Sequence, residues 1–251
     1  LAGWMEAQGL GSGAITSAER LAGGSQNILL RFSRSGRDFV LRRPPVHMRA
    51  GSDETMRREA RLLGALGNTQ VPHPRLIAAC PDETVLGASL YLMEPIAGFN
   101  PQNGLPATHH EAAIQHRMGL ALVEGLAALH ALDHAALGLG DFGKAEGFLE
   151  RQVARWRSQL DGYGELAGWP GADAIIDWEL ATIGDPLIDL GWVLATWPQP
   201  ADGGMLDIAP WNGFPASDAL VRHYAAHATR SVEAVDWYGV FGCYKLGILL
   251  E

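Results

Sequence analysis

Asp177 closes the apolar run Ala174-Ile175-Ile176, and Glu179, Asp185 and Asp189 follow it closely. A carboxylate delivered by the end of a strand can hold a hard divalent cation, which takes oxygen ligands converging from a rigid support. A second constellation lies early in the chain. Gly23-Gly24-Ser25-Gln26-Asn27 separates two apolar stretches, and residues so small let backbone amides come close to an anion. Next, Phe39-Val40-Leu41-Arg42 ends in a cation and Glu59 follows in the next helical stretch. Val40 and Arg42 share one strand face by period two, so the guanidinium points where the valine points. Amides and a paired cation for phosphate oxygens, with a carboxylate for a metal ion, are the parts that phosphate-handling chemistry requires.

The elements that must position these groups are legible in the pattern. Leu1 to Gly9 reads as a short helix and Ala14 to Leu21 as a strand running into the glycines. Asn27 to Ser33 and Asp38 to Arg42 form a hairpin about Ser35-Gly36, and Pro44-Pro45 stops the sheet. Met56, Ala60, Leu63 and Leu66 recur at helical spacing over Asp53 to Leu66, with Ser52 or Asp53 as the N-cap. Arg75 to Cys80 and Ser89 to Met93 complete the strands. After Gly98 the pattern changes. A polar, proline-bearing connector spans Asn100 to Ala107, and helices follow at Glu111–His130, Glu146–Leu160, Leu187–Trp197, Ser217–Ala228 and Val232–Leu250. Asp185-Pro186 supplies a cap and a first-turn proline for the third of these.

With 251 residues and 47% apolar content, the chain can bury a large core in one big domain or two lobes. Residues 1–98 carry a net charge of +2 and residues 99–251 a net charge of −11. A basic first part suits phosphate, an acidic second part suits a cation, and the overall sign argues against nucleic acid. Neither a run of roughly 18 apolar residues nor a basic, signal-type start is present, so the expected location is cytoplasmic and no membrane partner is expected. Cys80 and Cys243 lie far apart in apolar surroundings, without metal-type spacing, and are read as core.

In its order of motifs the chain resembles the aminoglycoside phosphotransferase family, particularly a branch like the kinase domain of some acyl-CoA dehydrogenase fusions. The resemblance rests on Gly23 to Asn27, Phe39 to Pro45, Arg58-Glu59-Ala60-Arg61-Leu62-Leu63, Val71-Pro72-His73-Pro74, Tyr91-Leu92-Met93-Glu94, Leu129-His130-Ala131-Leu132-Asp133, Gly147 to Val153 and Asp177 to Trp192. It implies an α+β, two-lobed, protein-kinase-like fold, with a nucleotide-binding lobe over residues 1–97 and a helical lobe over 98–251. It further implies ATP and Mg2+ as cofactors and transfer of the γ-phosphoryl group to a hydroxyl of a small molecule. Gly24, Ser25 and Asn27 would cradle phosphates. Arg42 takes the place of the usual strand lysine and Glu59 that of its helix partner. Met93 would flank the adenine, with the Glu94 carbonyl and the Ile96 amide as hinge partners. Asp177 would bind magnesium and Asp189 would brace the catalytic loop.

One departure from the family is severe. Its members carry a His-Gly-Asp or similar triplet with an Asn five residues after the Asp, and no His-x-Asp occurs in this sequence. Only about a dozen residues separate Leu160 from Ala174, too few for a further helix, the catalytic loop and its return strand. The catalytic Asp therefore belongs to a segment absent between about residues 163 and 174. The alternative reading is a nucleotide-binding pseudoenzyme without the loop. The only two lysines, Lys144 and Lys245, fall in the second lobe and cannot replace Arg42.

Two motif matches fail on context. Asp141-Phe142-Gly143 spells a metal-binding triplet and Gly138 to Gly143 a dinucleotide fingerprint, yet both follow a helix where a strand is required. That stretch reads as a helix ending at a glycine. His109-His110-Glu111 and His130 with His134 lack a further matched ligand pair and are read as surface or core residues. Trp178, Trp192 and Trp197 are read as core or pocket walls.

Overall fold

The computed structural model describes residues 1–21, 27–47, 51–99, 104–144, 146–163, 184–198 and 211–250. They fall into two compact units, one formed by Leu1–Gly98 and a second that begins at Phe99.

The first unit is a five-stranded antiparallel sheet with helices on its faces. Its strands are β1 (Thr16–Arg20), β2 (Ile28–Arg34), β3 (Arg37–Arg43), β4 (Leu76–Cys80) and β5 (Leu90–Met93), in the spatial order β1-β2-β3-β5-β4. The β2–β3 turn has φ of 51° at Ser35 and 74° at Gly36, the double left-handed pair that matches strand twist in a two-residue hairpin. Serine tolerates that conformation here because its Oγ donates to the Ser12 carbonyl at 2.9 Å and accepts from the Ser12 amide at 3.1 Å. β3 ends at Arg43, just before Pro44.

Alternation along β3 feeds two cores. Phe39 and Leu41 pack with Phe32, Leu90, Leu92 and Cys80 beneath Met5 of helix α1 (Ala2–Ala7). Val40 packs on the opposite face with Tyr91 and Met93, against Met56, Ala60 and Leu63 of helix α2 (Ser52–Leu66). α1 is anchored by Arg34, only 1% exposed, whose guanidinium donates to the Ala2 carbonyl at 2.8 Å and the Gly13 carbonyl at 3.2 Å.

One capping expectation is corrected. The N-cap of α2 is Gly51, with φ 86°, and Ser52 is already helical. Asp53 sends Oδ1 to the Ser89 amide at 2.6 Å, because that bond ties the helix start to β5 and satisfies a donor distant in sequence.

The second unit is helical: α3 (Ala112–His130), α4 (Phe148–Tyr163), α5 (Leu187–Thr196), α6 (Ser217–His227) and α7 (Val235–Leu250), preceded by a 3-10 turn at Ala107–His109. Its core joins Val123 and Ala127 of α3, Leu187 and Leu190 of α5, Leu220 and Tyr224 of α6, and Val235 and Tyr238 of α7. Asp185 behaves as a cap, its Oδ1 accepting the Leu187 amide at 3.0 Å. Gln115, fully buried, accepts the amides of Asn212 and Gly213 at 3.0 and 2.8 Å and donates to the His109 carbonyl at 3.2 Å. Trp197 is core, stacked edge-on to Trp211 and Phe214, Trp192 is half-buried, and Trp178 lies outside the described residues.

Two further expectations change. No helix ends at Gly138: α3 ends at His130, as its apolar spacing predicts, and Asp133 Oδ1 then captures the amides of Ala135 and Ala136 and starts a separate turn. Cys80 is buried as expected, whereas Cys243 is exposed. α7 is apolar around most of its circumference, so apolar neighbours there do not mark an inward face.

Glycines set how closely α5 and α7 approach. A Cβ on Gly191 would drive into the Tyr238 backbone, and one on Gly242 would sit 2.7 Å from the Gly191 carbonyl oxygen and 2.9 Å from Ala195 Cβ. Gly191→Ala must push the helices apart and is expected to cost about 1–3 kcal/mol, the range for overpacking. Urea denaturation monitored by tryptophan fluorescence checks this, and an unchanged midpoint would show that the crossing is looser than described.

Candidate functional site

In the first unit the sheet register brings Asn27 and Arg42, two of the residues singled out in the sequence, to one end. Ile28 pairs with Arg43 and Leu29 with Arg42, so Asn27 enters β2 beside the end of β3 where Arg42 stands. Arg42 pairs with Tyr91 and Val40 with Met93 across β3–β5. The face that carries Arg42 thus presents a cationic end and an apolar end about two residues, or roughly 6–7 Å, apart.

Glu59 is the centre of this arrangement. Its carboxylate is 1% exposed and lies on the α2 surface that packs against the sheet. Arg42 Nη2 donates to Oε1 at 3.2 Å. Nε lies 2.9 Å from Oε2, close enough for strong attraction, although its N–H is directed off that line. The Tyr91 hydroxyl donates to Oε2 at 2.8 Å. A carboxylate buried this deeply is tolerable only when paired and hydrogen-bonded, and both partners come from adjacent strands. Tyr91 was not singled out in the sequence, although period two along β5 puts it on the same face as Met93.

The other predicted residues of this unit are placed as follows. Met93 is 8% exposed and packs with Val40 and Leu63. Glu94 donates its amide to the Arg75 carbonyl at 2.9 Å and its carboxylate lies 3.5 Å from Arg37. Ile96 is 66% exposed. Asn27 is 8% exposed, and its side-chain Nδ2 is buried without a hydrogen-bond acceptor among the described residues. A buried amide donor left without an acceptor carries a desolvation cost, and an oxyanion brought to that atom would remove it. Gly24, Ser25 and Asp177 lie outside the described residues, as does most of the interval from 163 to 174.

In the second unit, Asp185 and Asp189 share the start of α5 and have different surroundings. Asp185 is held by the Leu187 amide and by Arg230 Nη1 at 3.4 Å. Asp189 Oδ2 lies 3.1 Å from His130 Nε2, while His130 Nδ1 lies 2.7 Å from the Tyr224 hydroxyl. A carboxylate only accepts, so the imidazole carries its proton on Nε2 and the tyrosine donates to Nδ1. That chain joins the ends of α3, α5 and α6 and holds Asp189 by one oxygen. Lys245 Nζ stands 4.9 Å from the Trp192 ring centre. Burial pushes the Lys245 ammonium down, and the Asp189 charge works in the opposite sense.

The two units, a five-stranded sheet braced by a helix through a buried Arg–Glu pair and a helical unit, define a protein-kinase-like α+β fold of the phosphotransferase type. The chain belongs to the phosphotransferase enzyme family, whose profile matches residues 17–171 and 169–209. Those two matches meet at 169–171, within the interval where the sequence has no room for the family's loop. A crystal structure of an aminoglycoside-phosphotransferase-type protein from Ralstonia eutropha superposes with a TM-score of 0.74 and 25% identity, over 98% of this chain and 85% of that one. Acyl-CoA dehydrogenase family member 11 of Gallus gallus is 28% identical over 228 residues, taking in 74% of this chain and 29% of that protein. Acyl-CoA dehydrogenase family member 10 of Mus musculus is 24% identical over 264 residues, taking in 86% of this chain and 24% of its own length. The chain thus spans well under half the length of these curated relatives. The mouse alignment is longer than the whole 251-residue chain, so that relative carries internal residues without a counterpart here.

Two predictions follow from this geometry. Glu59→Ala takes the carboxylate away from the mostly buried Arg42 guanidinium and from the Tyr91 hydroxyl and should cost about 3–5 kcal/mol, while Tyr91→Phe should cost about 1 kcal/mol. Equilibrium unfolding of both variants and their double mutant measures the coupling, and strictly additive effects would contradict the shared network. The second concerns pH. Burial, with the Asp185 carboxylate beside it, pushes the Tyr238 phenol up to about 12. The fold favours the neutral phenol, so the contribution is intact below the ordinary tyrosine value of about 10 and is lost as pH rises from there toward 12. Tyr238→Phe should flatten the fall in stability above about pH 10, and an unchanged slope would assign that fall to other groups.

Proposed function

We propose that this chain is an ATP-dependent small-molecule phosphotransferase whose first unit holds the nucleotide. The observation that carries the reading is the buried Arg42–Glu59 pair at the sheet end where Asn27 enters, with the Asn27 Nδ2 lacking an acceptor among the described residues. A guanidinium fixed by a carboxylate is already ordered before a phosphate arrives, so binding there does not have to immobilise it. Asn27 and the glycines before it would supply further donors, and Val40 and Met93 an apolar end suited to a base. Magnesium, held through Asp177, would offset charge on the phosphate oxygens. The substrate hydroxyl oxygen would bond to the γ-phosphorus as the bond to the β–γ bridging oxygen breaks, leaving ADP and a phosphate monoester. The hydroxyl proton goes to a base, which in this family is the Asp of the loop absent from this sequence. Asp189, anchored through His130 and Tyr224, would brace that region from below. The cytoplasm is the proposed location; among the described residues no helix is long and apolar enough to cross a membrane.

A second reading has its own support. The sequence has no His-x-Asp, and the family match is in two pieces that meet where the loop would be. A chain of this composition would bind nucleotide without turnover.

The test is a titration of the protein with Mg-ATP, read by thermal shift, followed by assay of ADP release with an aminoglycoside, an amino alcohol and a hydroxy acid. Saturating nucleotide at about 100 times Kd should stabilise by about 2.7 kcal/mol, and Arg42→Ala should remove most of that shift. Transfer to any acceptor that falls at least about a thousandfold in Asp177→Ala, at unchanged Tm, supports the phosphotransferase. Normal transfer by that variant overturns the role of Asp177. Binding without transfer, in a protein whose intact mass equals the 26.9 kDa of this sequence, selects the second reading. Absence of any shift removes both.

A further inference from the structure

Away from the nucleotide-binding groups, one cluster in the second unit has ligand chemistry that the family reading does not use. His223 and His227 lie four residues apart on α6, so one face presents both imidazoles, with ring centres 4.4 Å apart. Glu124 faces them from α3, its Oε1 2.5 Å from His223 Nε2. One ligand-type atom from each of the three residues lies within 4.8 Å of the others, the only such trio among the described residues.

We propose that Glu124, His223 and His227 form a binding site for a borderline divalent transition metal such as zinc, stapling α6 to α3. Two nitrogens and one carboxylate oxygen are a donor set that zinc accepts with water as fourth ligand. Hard cations such as magnesium prefer all-oxygen sites and bind such a set poorly. The tautomers are favourable. His227 Nδ1 lies 2.8 Å from the His223 carbonyl and donates to it, so the Nε2 lone pair is the one presented for ligation. The short Glu124–His223 contact is a proton-bridged pair. A metal takes the bridging position, the ring proton of neutral His223 then resides on Nδ1, and the two donor atoms separate to about 3.3 Å, as tetrahedral geometry at about 2.0–2.1 Å per bond requires. Glu124 is nearly half exposed, so a rotamer change gives that adjustment at little cost. A depression of about 320 Å3 lined by His116, Leu120, Ala219, Arg222, His223 and Ala226 opens beside the site and admits water. Arg222, the one arginine or lysine among the described lining residues, is held by Asp218 at 2.6 Å.

Isothermal titration of the tag-free protein with zinc chloride in a non-chelating buffer tests the proposal, with the visible spectrum of added cobalt(II) reporting the ligand set. The expected result is one equivalent bound at this site with micromolar affinity, a Tm raised at saturation, and a tetrahedral cobalt spectrum. His227→Gln and, separately, Glu124→Gln should each weaken binding at least tenfold and abolish the Tm rise, with the metal-free Tm unchanged. Millimolar magnesium should not compete. Zinc binding that is absent, that survives in the His223→Gln/His227→Gln double variant, or that magnesium displaces overturns the proposal. None of these readouts involves ATP or phosphoryl transfer, so the result stands apart from the phosphotransferase reading.

Discussion

The burial of the Glu59 carboxylate is the constraint on which the first unit depends. An ionised group at 1% exposure would be prohibitive alone, and it becomes tolerable only if Arg42 and Tyr91 arrive from β3 and β5 in register. That requirement fixes the rotation of α2 on the sheet and the pairing of the two central strands together. A replacement by apolar residues could be as stable, since buried ion pairs seldom add net stability. The pair is better understood as a positioning device, which holds a guanidinium edge at the sheet end reached by Asn27. Arginine suits this better than lysine would, because one planar fork can face the carboxylate and still offer donors on its other edge.

The second unit uses two carboxylates at the start of one helix for different ends. Asp185 is consumed by local satisfaction, with an amide, an arginine and a phenol around it. Asp189, one turn further on, is reached by a histidine whose other ring nitrogen is held by a tyrosine on a third helix. The same helix meets α7 through glycines at 191 and 242, so the backbone approach and the carboxylate placement are set by one packing arrangement. A change that separates α5 from α7 would displace Asp189 and Lys245 as well as lower stability.

Local rules made much of this legible in the sequence. The Ser35-Gly36 hairpin, the proline stop after β3 and the shared face of Val40 and Arg42 follow from turn chemistry and period two, and Glu59 as the partner of Arg42 follows from the family resemblance. What escaped depends on contacts distant in the chain. Ser52 or Asp53 reads as a cap until Ser89 claims the Asp53 oxygen. Arg34, buried under α1 through its bonds to the Ala2 and Gly13 carbonyls, carries no local signal in the sequence. Tyr91 could be assigned a face but not a partner, because strand periodicity gives direction and not distance. Cys243 was read as buried because α7 is apolar nearly all round, which removes the contrast from which an inward face is inferred. Gly24, Ser25 and Asp177, the remaining phosphate and metal candidates, lie outside the described residues, so their roles stand on the sequence pattern.

The composition of the chain separates two contributions that phosphotransferases combine. Holding a nucleotide needs donors and a metal ligand, and those residue types are present from Asn27 to Asp189. Accepting the substrate proton needs a base, and the sequence lacks one where the family carries it. General-base assistance is typically worth about 10²–10⁴-fold, while positioning and electrostatic stabilisation supply the larger part of phosphoryl-transfer catalysis. Loss of the loop would remove more than the base, because the loop also orients the acceptor hydroxyl and helps to hold the metal. A phosphotransferase without it should therefore keep whatever affinity its first lobe has for nucleotide and lose transfer by far more than base removal alone. Retained binding and slow turnover would mark loss of a base with geometry intact, whereas retained binding with no turnover would mark loss of the segment itself.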